Sequence, residues 1–247
     1  MSVSWTVEDS ESAITQQSGC GSQTVSADTA GVTFTCEATS AGGTATQSVT
    51  IKRDATAPTI TGSRGPAANA SGWNNGDVTV SFVCADALSG VASCSAPSIV
   101  STEGANQSVT GTATDVAGNQ ATATVGGINI DKTAPSCTAS ASPNRLWPPD
   151  HKLVTVNVAV ATSDSLSGAA GYTLLSVTSN EPDNGPDDGN TVNDIQGFEI
   201  GTPDTRGKLR AERSGSGSGR IYTLTYQVTD LAGNTATCSA QVAVPLG

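Results

Sequence analysis

The chain has 247 residues, with 11 Lys and Arg against 22 Asp and Glu, for a formal net charge of −11. That balance excludes a protein that grips a nucleic-acid backbone, which needs clustered cations, and no apolar run approaches the 18 residues of a membrane span. Charged residues are only 13% of the total, and apolar residues alternate with Thr and Ser, a pattern of ordered strands and not of a charge-rich disordered chain.

Three Trp, three Tyr and three Phe give small aliphatic cores. Modules of that size usually need a staple. The six Cys contain no Cys-x-x-Cys pair, which argues against zinc ribbons and thioredoxin-like chemistry. They fall two per segment, Cys20 with Cys36, Cys84 with Cys94 and Cys137 with Cys238. Three disulfides and an oxidising compartment are expected; the competing reading is buried thiols in a reducing cytosol. No basic-plus-apolar leader is visible, and Met1-Ser2-Val3-Ser4-Trp5 opens inside a strand, as an excised piece of a longer secreted chain would.

The first segment spans 1–53. Val3, Trp5 and Val7 alternate with Ser4 and Thr6 as in a half-buried strand. Glu8 to Ser12 reads as a polar turn, Val32, Phe34 and Cys36 as a second strand, and Gln47 to Lys52 as a closing strand. The second segment, 54–130, carries a strand at Val78, Val80, Phe82 and Cys84. Aligning Trp5 with Phe82 leaves Thr59 to Asp77 without a counterpart, so the first segment lacks its N-terminal strand. The third, 131–247, is larger. Its strands are expected at Val154–Val160, Leu174–Thr178, Phe198–Ile200 and Tyr222–Val228, around an acidic loop Glu181–Asp194 and a Gly-Ser run Ser214–Gly219.

Three motifs recur. Asp86-Ala87-Leu88-Ser89-Gly90 matches Asp164-Ser165-Leu166-Ser167-Gly168; Thr114-Asp115-Val116-Ala117-Gly118-Asn119 matches Thr229-Asp230-Leu231-Ala232-Gly233-Asn234; Asp54-Ala55-Thr56-Ala57-Pro58 matches Asp131-Lys132-Thr133-Ala134-Pro135. Short strands, Gly-rich turns and internal repeats predict an all-β chain of three tandem immunoglobulin-like antiparallel β-sandwich domains. The motifs resemble bacterial immunoglobulin-like repeats of secreted and cell-surface proteins, with a likeness to hyalin-type repeats. Leu146-Trp147-Pro148-Pro149-Asp150-His151-Lys152 and Leu209-Arg210-Ala211-Glu212-Arg213 resemble a C-terminal module of secreted bacterial proteins. The resemblance implies an extracellular or cell-surface location and calcium at the linkers, where it stiffens the rod in related adhesins.

The hinge acids are the main candidates for chemistry. In such sandwiches the chain enters at the end that carries two of the loops, so Asp54 should approach Asp86 and Asp115, and Asp131 should approach Asp164 and Asp230. Three carboxylates per junction suit calcium, with Asn119 or Asn234 and loop carbonyls completing the shell. The plainer alternative is turn chemistry, in which each Asp bonds its own backbone. The first segment has Thr39 where the others have the turn Asp, and no site is expected there. The Glu181–Asp194 loop has the acid density of an EF-hand but the wrong register, and reads as a solvated acidic turn. Ser214–Gly219 reads as a hairpin tip, with Arg210, Arg213 and Arg220 paired to Glu212 and nearby acids. His151 has no nucleophile elbow to serve and reads as structural. Trp147 is a candidate sugar platform, against the alternative that it packs under a sheet.

The sequence thus predicts a non-enzymatic extracellular spacer joined to other domains of a longer chain. The alternatives are an adhesin for a surface glycan or protein ligand, with the third segment as tip, and a filament subunit self-assembling through the open edge of the first segment.

Overall fold

The computed structural model describes residues 1–185 and 188–246. Pro186 and Asp187 of the acidic loop and the terminal Gly247 lie outside the described residues. Among those described there is no helix, and the ladders between named strands are antiparallel. The chain is all-β, of immunoglobulin-like sheets.

In chain order, β1 (Ser2–Val3), β2 (Ile14–Ser18), β3 (Gln23–Thr24), β4 (Thr29–Ser40) and β5 (Gly43–Arg53) form the sheets β1-β3 and β2-β4-β5. Then β6 (Thr59–Gly65), β7 (Val78–Ala85), β8 (Val91–Cys94), β9 (Ser98–Val100), β10 (Gly104–Asp115) and β11 (Gln120–Ile130) form β6-β7-β9 and β11-β10-β8. Last come β12 (Ser136–Ser142), β13 (Leu153–Ser163), β14 (Ala169–Ser179), β15 (Ile195–Gln196), β16 (Arg206–Arg210), β17 (Arg220–Asp230) and β18 (Thr235–Val244), arranged as β12-β13-β16-β15 and β14-β17-β18. By compactness the chain divides into two units, one of Met1–Gly65, Thr79–Ile99 and Ser108–Gly126, the other of Pro66–Val78, Val100–Gln107 and Gly127–Gly247.

Burial is uneven. The last two sheets enclose Val156, Leu174, Leu209, Tyr222, Leu224 and Val242, each fully buried. Strand β17 alternates strictly, so Arg220, Tyr222, Leu224, Tyr226, Val228 and Asp230 all face inward. In β7, Val78, Val80 and Phe82 are buried in the same period. Among residues 1–53 the buried apolar side chains are only Val25 and Cys36. The disulfides are Cys20–Cys36, Cys84–Cys94 and Cys137–Cys238. The first of them supplies a cross-link where apolar area is short, while Cys137–Cys238 packs against the main core.

Two expected strands differ. Residues 4–7 are not a strand; β1 stops at Val3, because a strand needs a hydrogen-bonded neighbour and none runs along this stretch. Nor is Phe198–Ile200 a strand: Gly197 takes φ +72 after β15 and turns the chain, and the Phe198 ring lies over Gly207, where a Cβ would clash at 2.4 Å.

Candidate functional site: two acidic hinges

The Asp, Thr and Pro of the Asp-x-Thr-Ala-Pro hinge each have a defined place, and the two hinge Asp residues make the same hydrogen bonds. The hinge Asp first folds back on itself. Asp54 Oδ1 accepts the Thr56 amide at 3.0 Å and Asp131 Oδ1 the Thr133 amide at 3.1 Å. The other oxygen reaches the following loop, where Asp54 Oδ2 accepts the Ser89 amide at 3.1 Å and Asp131 Oδ2 the Ser167 amide at 3.0 Å. The Thr faces the other way, to a preceding acid. Thr56 donates its hydroxyl to Asp28 Oδ2 at 2.7 Å, and Thr133 donates to Glu103 Oε1 at 3.0 Å. The same two acids take the amides of Ala55 and Lys132. Pro58 and Pro135 are buried at the end of the motif. A small residue count thus pins the chain from both sides through charge-assisted hydrogen bonds.

The two loops are matched as closely. Oδ1 of Asp86 accepts the amides of Leu88 and Gly90 at 3.1 and 2.7 Å, and Oδ1 of Asp164 those of Leu166 and Gly168 at 3.1 and 2.7 Å. Asp115 and Asp230 each clamp the Asn four residues on, through its amide and its Nδ2, all at 2.8 Å. That Asn then crosses to the hinge. Asn119 Nδ2 donates to the Asp54 carbonyl at 3.3 Å and Asn234 Nδ2 to the Asp131 carbonyl at 2.9 Å. The carboxamide nitrogen thus serves as a tether between the loop Asp and the hinge backbone.

The result is two trios, Asp54–Asp86–Asp115 and Asp131–Asp164–Asp230, each offering carboxylate oxygens within 4.8 Å of one another. Asp131, Asp115 and Asp230 are 0%, 1% and 2% exposed. Among the described residues, no ion pair joins a Lys or Arg to any of the six. At an effective dielectric of about 20, two full charges about 5 Å apart repel by roughly 3 kcal/mol, so the buried Asp131–Asp230 pair is costly without a counter-charge. Hydrogen bonding by Ser89, then the Thr56 amide, holds the Asp54 carboxyl below its usual range. Burial pushes Asp164 up, but the Gly168 and Leu166 amides outweigh it and the net shift is downward. Both shifts keep the carboxylates ionised.

A third acid, Asp9, makes a related turn, bonding the amides two and three residues on. Asp9 Oδ1 accepts the amides of Glu11 and Ser12, and Oδ2 the Ser12 hydroxyl at 2.9 Å. It stands four residues after Trp5, as Asp86 stands four after Phe82. The first segment therefore has an acid at the loop position, within the Glu8–Ser12 stretch expected as a polar turn. The Asp-x-x-Ser spacing was the available signal; Ala13 in place of the usual Gly hid it.

The acidic loop is not a solvated turn. Asp188 and Asp194 are 0% and 1% exposed, and they close over Arg220, whose side chain is fully buried. Arg220 pairs with Asp194, with Glu181 and Asp188 at 3.3 Å, and lies 3.8 Å from Glu212. Arg210 meets Asp194 at 3.0 Å. Arg213 instead donates to the carbonyls of Pro245 and Leu246. His151, at φ +63, sets Nδ1 3.2 Å from Glu212 Oε2 and caps the cluster. Burial pushes the Glu212 carboxyl upward. Arginines, and no metal-ligating trio among the described residues, organise this loop. Trp147 is 52% exposed, with Arg145 5.7 Å from its ring, while Leu146 takes the buried place. It does not pack under the sheet.

No protein-family model matches the chain, and no curated protein sequence matches it. Solved structures do. A bacterial ice-binding adhesin structure is 12% identical, with 85% of this chain and 72% of that chain covered at a TM-score of 0.39. Extracellular cadherin domains 3–6 of protocadherin gamma B2 are 15% identical, covering 85% and 56% at 0.31. Fibronectin(III)-like modules of Clostridium thermocellum CbhA are 13% identical, covering 76% and 94% at 0.30. The chain spans 56% and 45% of the two protocadherin gamma B2 fragments it matches. Likenesses this distant agree in being to repeat-domain chains and transfer no property of those proteins.

Proposed function

We propose that the chain is an extracellular spacer of three immunoglobulin-like modules, 1–53, 54–130 and 131–247, whose two joints are each closed by a calcium ion. The observation that carries this reading is the repetition of one set of carboxylate hydrogen bonds at Asp54 and at Asp131. The donor set is all hard oxygen, with neither His nor Cys, and suits a cation that takes six to eight oxygens in irregular geometry. Among the described residues, the hydrogen bonds to Asp86 and Asp164 go to Oδ1 and leave Oδ2 open. The remaining oxygens of each trio keep a second lone pair beyond the amide they bind. Asp54, Asp86 and Asp115 would hold one ion, and Asp131, Asp164 and Asp230 the other. A bound divalent cation would supply the missing counter-charge.

The three disulfides support an oxidising, extracellular setting. His151, the one His, is spent on the sealed Glu212. The role we propose is mechanical. Isothermal titration with calcium, paired with small-angle scattering in calcium and in chelator, tests the reading. Two sites per chain and a narrower distribution of lengths with calcium are expected. Absence of heat, with identical scattering curves, would remove the ion from both joints.

A further inference from the structure

We propose that Glu212 holds a proton in the folded chain, carried on Oε1 and shared with Asp194, and that loss of this proton loosens the residues gathered round Arg220. The assignment rests on an account of donors and acceptors. Glu212 is fully buried. Its Oε2 accepts the Thr191 hydroxyl and lies 3.2 Å from His151 Nδ1. Its Oε1 is sealed from solvent and meets no hydrogen-bond donor. Arg220 stops 3.8 Å from that oxygen, and Arg210 stops 3.9 Å from Oε2. Both guanidiniums are engaged by Asp194 instead, Arg210 through Oδ1 at 3.0 Å and Arg220 through Oδ2. The Asp194 carboxylate is within hydrogen-bonding reach of the Glu212 carboxyl. Two carboxylates that share a sealed site repel unless one of them is protonated, and a buried acceptor without a donor is costly. A proton on Oε1 removes both penalties.

The surrounding charges lead the same way. Among the described residues, the carboxylates of Glu181, Asp188, Asp194 and Glu212 meet only the guanidiniums of Arg210 and Arg220. Asp183 adds a further acid at the exposed rim, where it accepts the amides of Asn193 and Asp194. Tyr222 accepts a hydrogen bond from Arg220, and burial pushes its hydroxyl up to about 12, so it stays neutral. His151 faces Glu212 from the other side. Its side chain is 48% exposed, and its ring lies over Gly189, where a Cβ would clash at 2.5 Å. Burial is the largest influence on the Glu212 carboxyl and raises its pKa, against the Thr191 hydrogen bond, which lowers it.

The proton stands where several elements meet. Glu212 and Arg210 flank Ala211, whose amide donates to the Lys152 carbonyl and whose carbonyl accepts the His151 amide. Asp194 immediately precedes β15, and Arg220 opens β17. The sign follows from the raised pKa. The contribution of Glu212 is complete below the unfolded value of about 4.3 and is lost as pH rises through the folded value. The hinge carboxylates Asp54 and Asp164, whose pKa values are lowered, act in the opposite sense.

The carboxyl carbon chemical shift of Glu212, followed against pH in the unaltered chain with chelator present, tests the assignment. Glu212 is expected to remain protonated above a pH of about 4.3. Amide exchange at residues 194–196 and 209–211, corrected for its intrinsic rate, should then rise by up to about tenfold per pH unit beyond the Glu212 midpoint. Glu212→Gln keeps an acceptor for Thr191 and fixes an N–H donor towards Asp194, so it should abolish that rise. Ionisation of Glu212 at or below about pH 4.3 would overturn the proton. So would ring-nitrogen shifts showing a doubly protonated His151 against an ionised Glu212. A rise in exchange that Glu212→Gln leaves unchanged would overturn the switch. Chelator keeps the hinge acids free of metal throughout, so the outcome does not depend on calcium.

Discussion

The two hinges share their carboxylates and differ in what surrounds them. At Asp131 the preceding residue is Ile130, fully buried. Lys132 reaches Asp77 and the Ser101 carbonyl, and Asn69 donates to the Leu231 carbonyl at 2.8 Å. At Asp54 the preceding residue is Arg53, part-exposed in an ion pair with Asp28, and a crevice of about 420 Å³ opens among Thr29, Arg53, Leu88, Ser89 and Val116. Val116 is 67% exposed where its counterpart Leu231 is 39%. At one joint the hinge acid is sealed by packing; at the other it borders an open crevice. A conserved-looking motif therefore does not fix how stiff a joint is, because side chains outside it decide how much water reaches the carboxylates.

The largest difference should appear on deleting the hinge acid. Asp131→Ala strands the buried Ser167 amide and should cost about 2–3 kcal/mol in urea unfolding, whereas Asp54→Ala should shift the midpoint far less. Equal losses would break the contrast. Next, moving from chelator to calcium at about ten times Kd should slow amide exchange at residues 54–56 and 88–90 by roughly tenfold, with a smaller change at 131–133. Asn69→Ala removes a clamp found only at the second joint. It should cost about 1 kcal/mol and make exchange at 231–234 resemble that at 116–119.

The smallest effect concerns acid. Asp54 and Asp164 both have folded pKa values below the unfolded one, so their contribution is complete above a pH of about 4 and is lost as pH falls through the folded values. Acid titration followed by scattering should loosen both joints below about pH 4, with the Asp54 joint first. Glu212 has the opposite sign, since burial raises its pKa; Glu212→Gln should gain stability at pH 8 relative to pH 4.

Much of the scaffold was legible from residues 1–247 alone. Period-two alternation located β4, β7, β13 and β17, and the even spacing of Cys matched the three bridges. The repeats brought together the six Asp that meet at the joints. What escaped was whatever depended on distant partners. Asp28 and Glu103 hold the hinge threonines from 28 and 30 residues away, with no motif of their own. The acidic loop looked solvated because the counter-charge, Arg220, lies under it. Its alternation with Tyr222 and Leu224 on β17 was a usable sign that this arginine points inward. Residues 4–7 had the right alternation for a strand and lacked only a neighbour, which local pattern does not report.

The Cys137–Cys238 bridge joins the first and last strands of the C-terminal sheets across 101 positions of sequence. Tension applied through the two ends of this region would pass through the sulfur atoms and bypass the polypeptide between them. About 100 residues, or roughly 340 Å of extended contour, cannot be paid out while the bond is intact. The corresponding spans at Cys20–Cys36 and Cys84–Cys94 are 16 and 10, so nearly all of the other strands remain in the line of pull. Under load the chain would lengthen from its N-terminal side, and reduction would change its stretched length more than its resting shape.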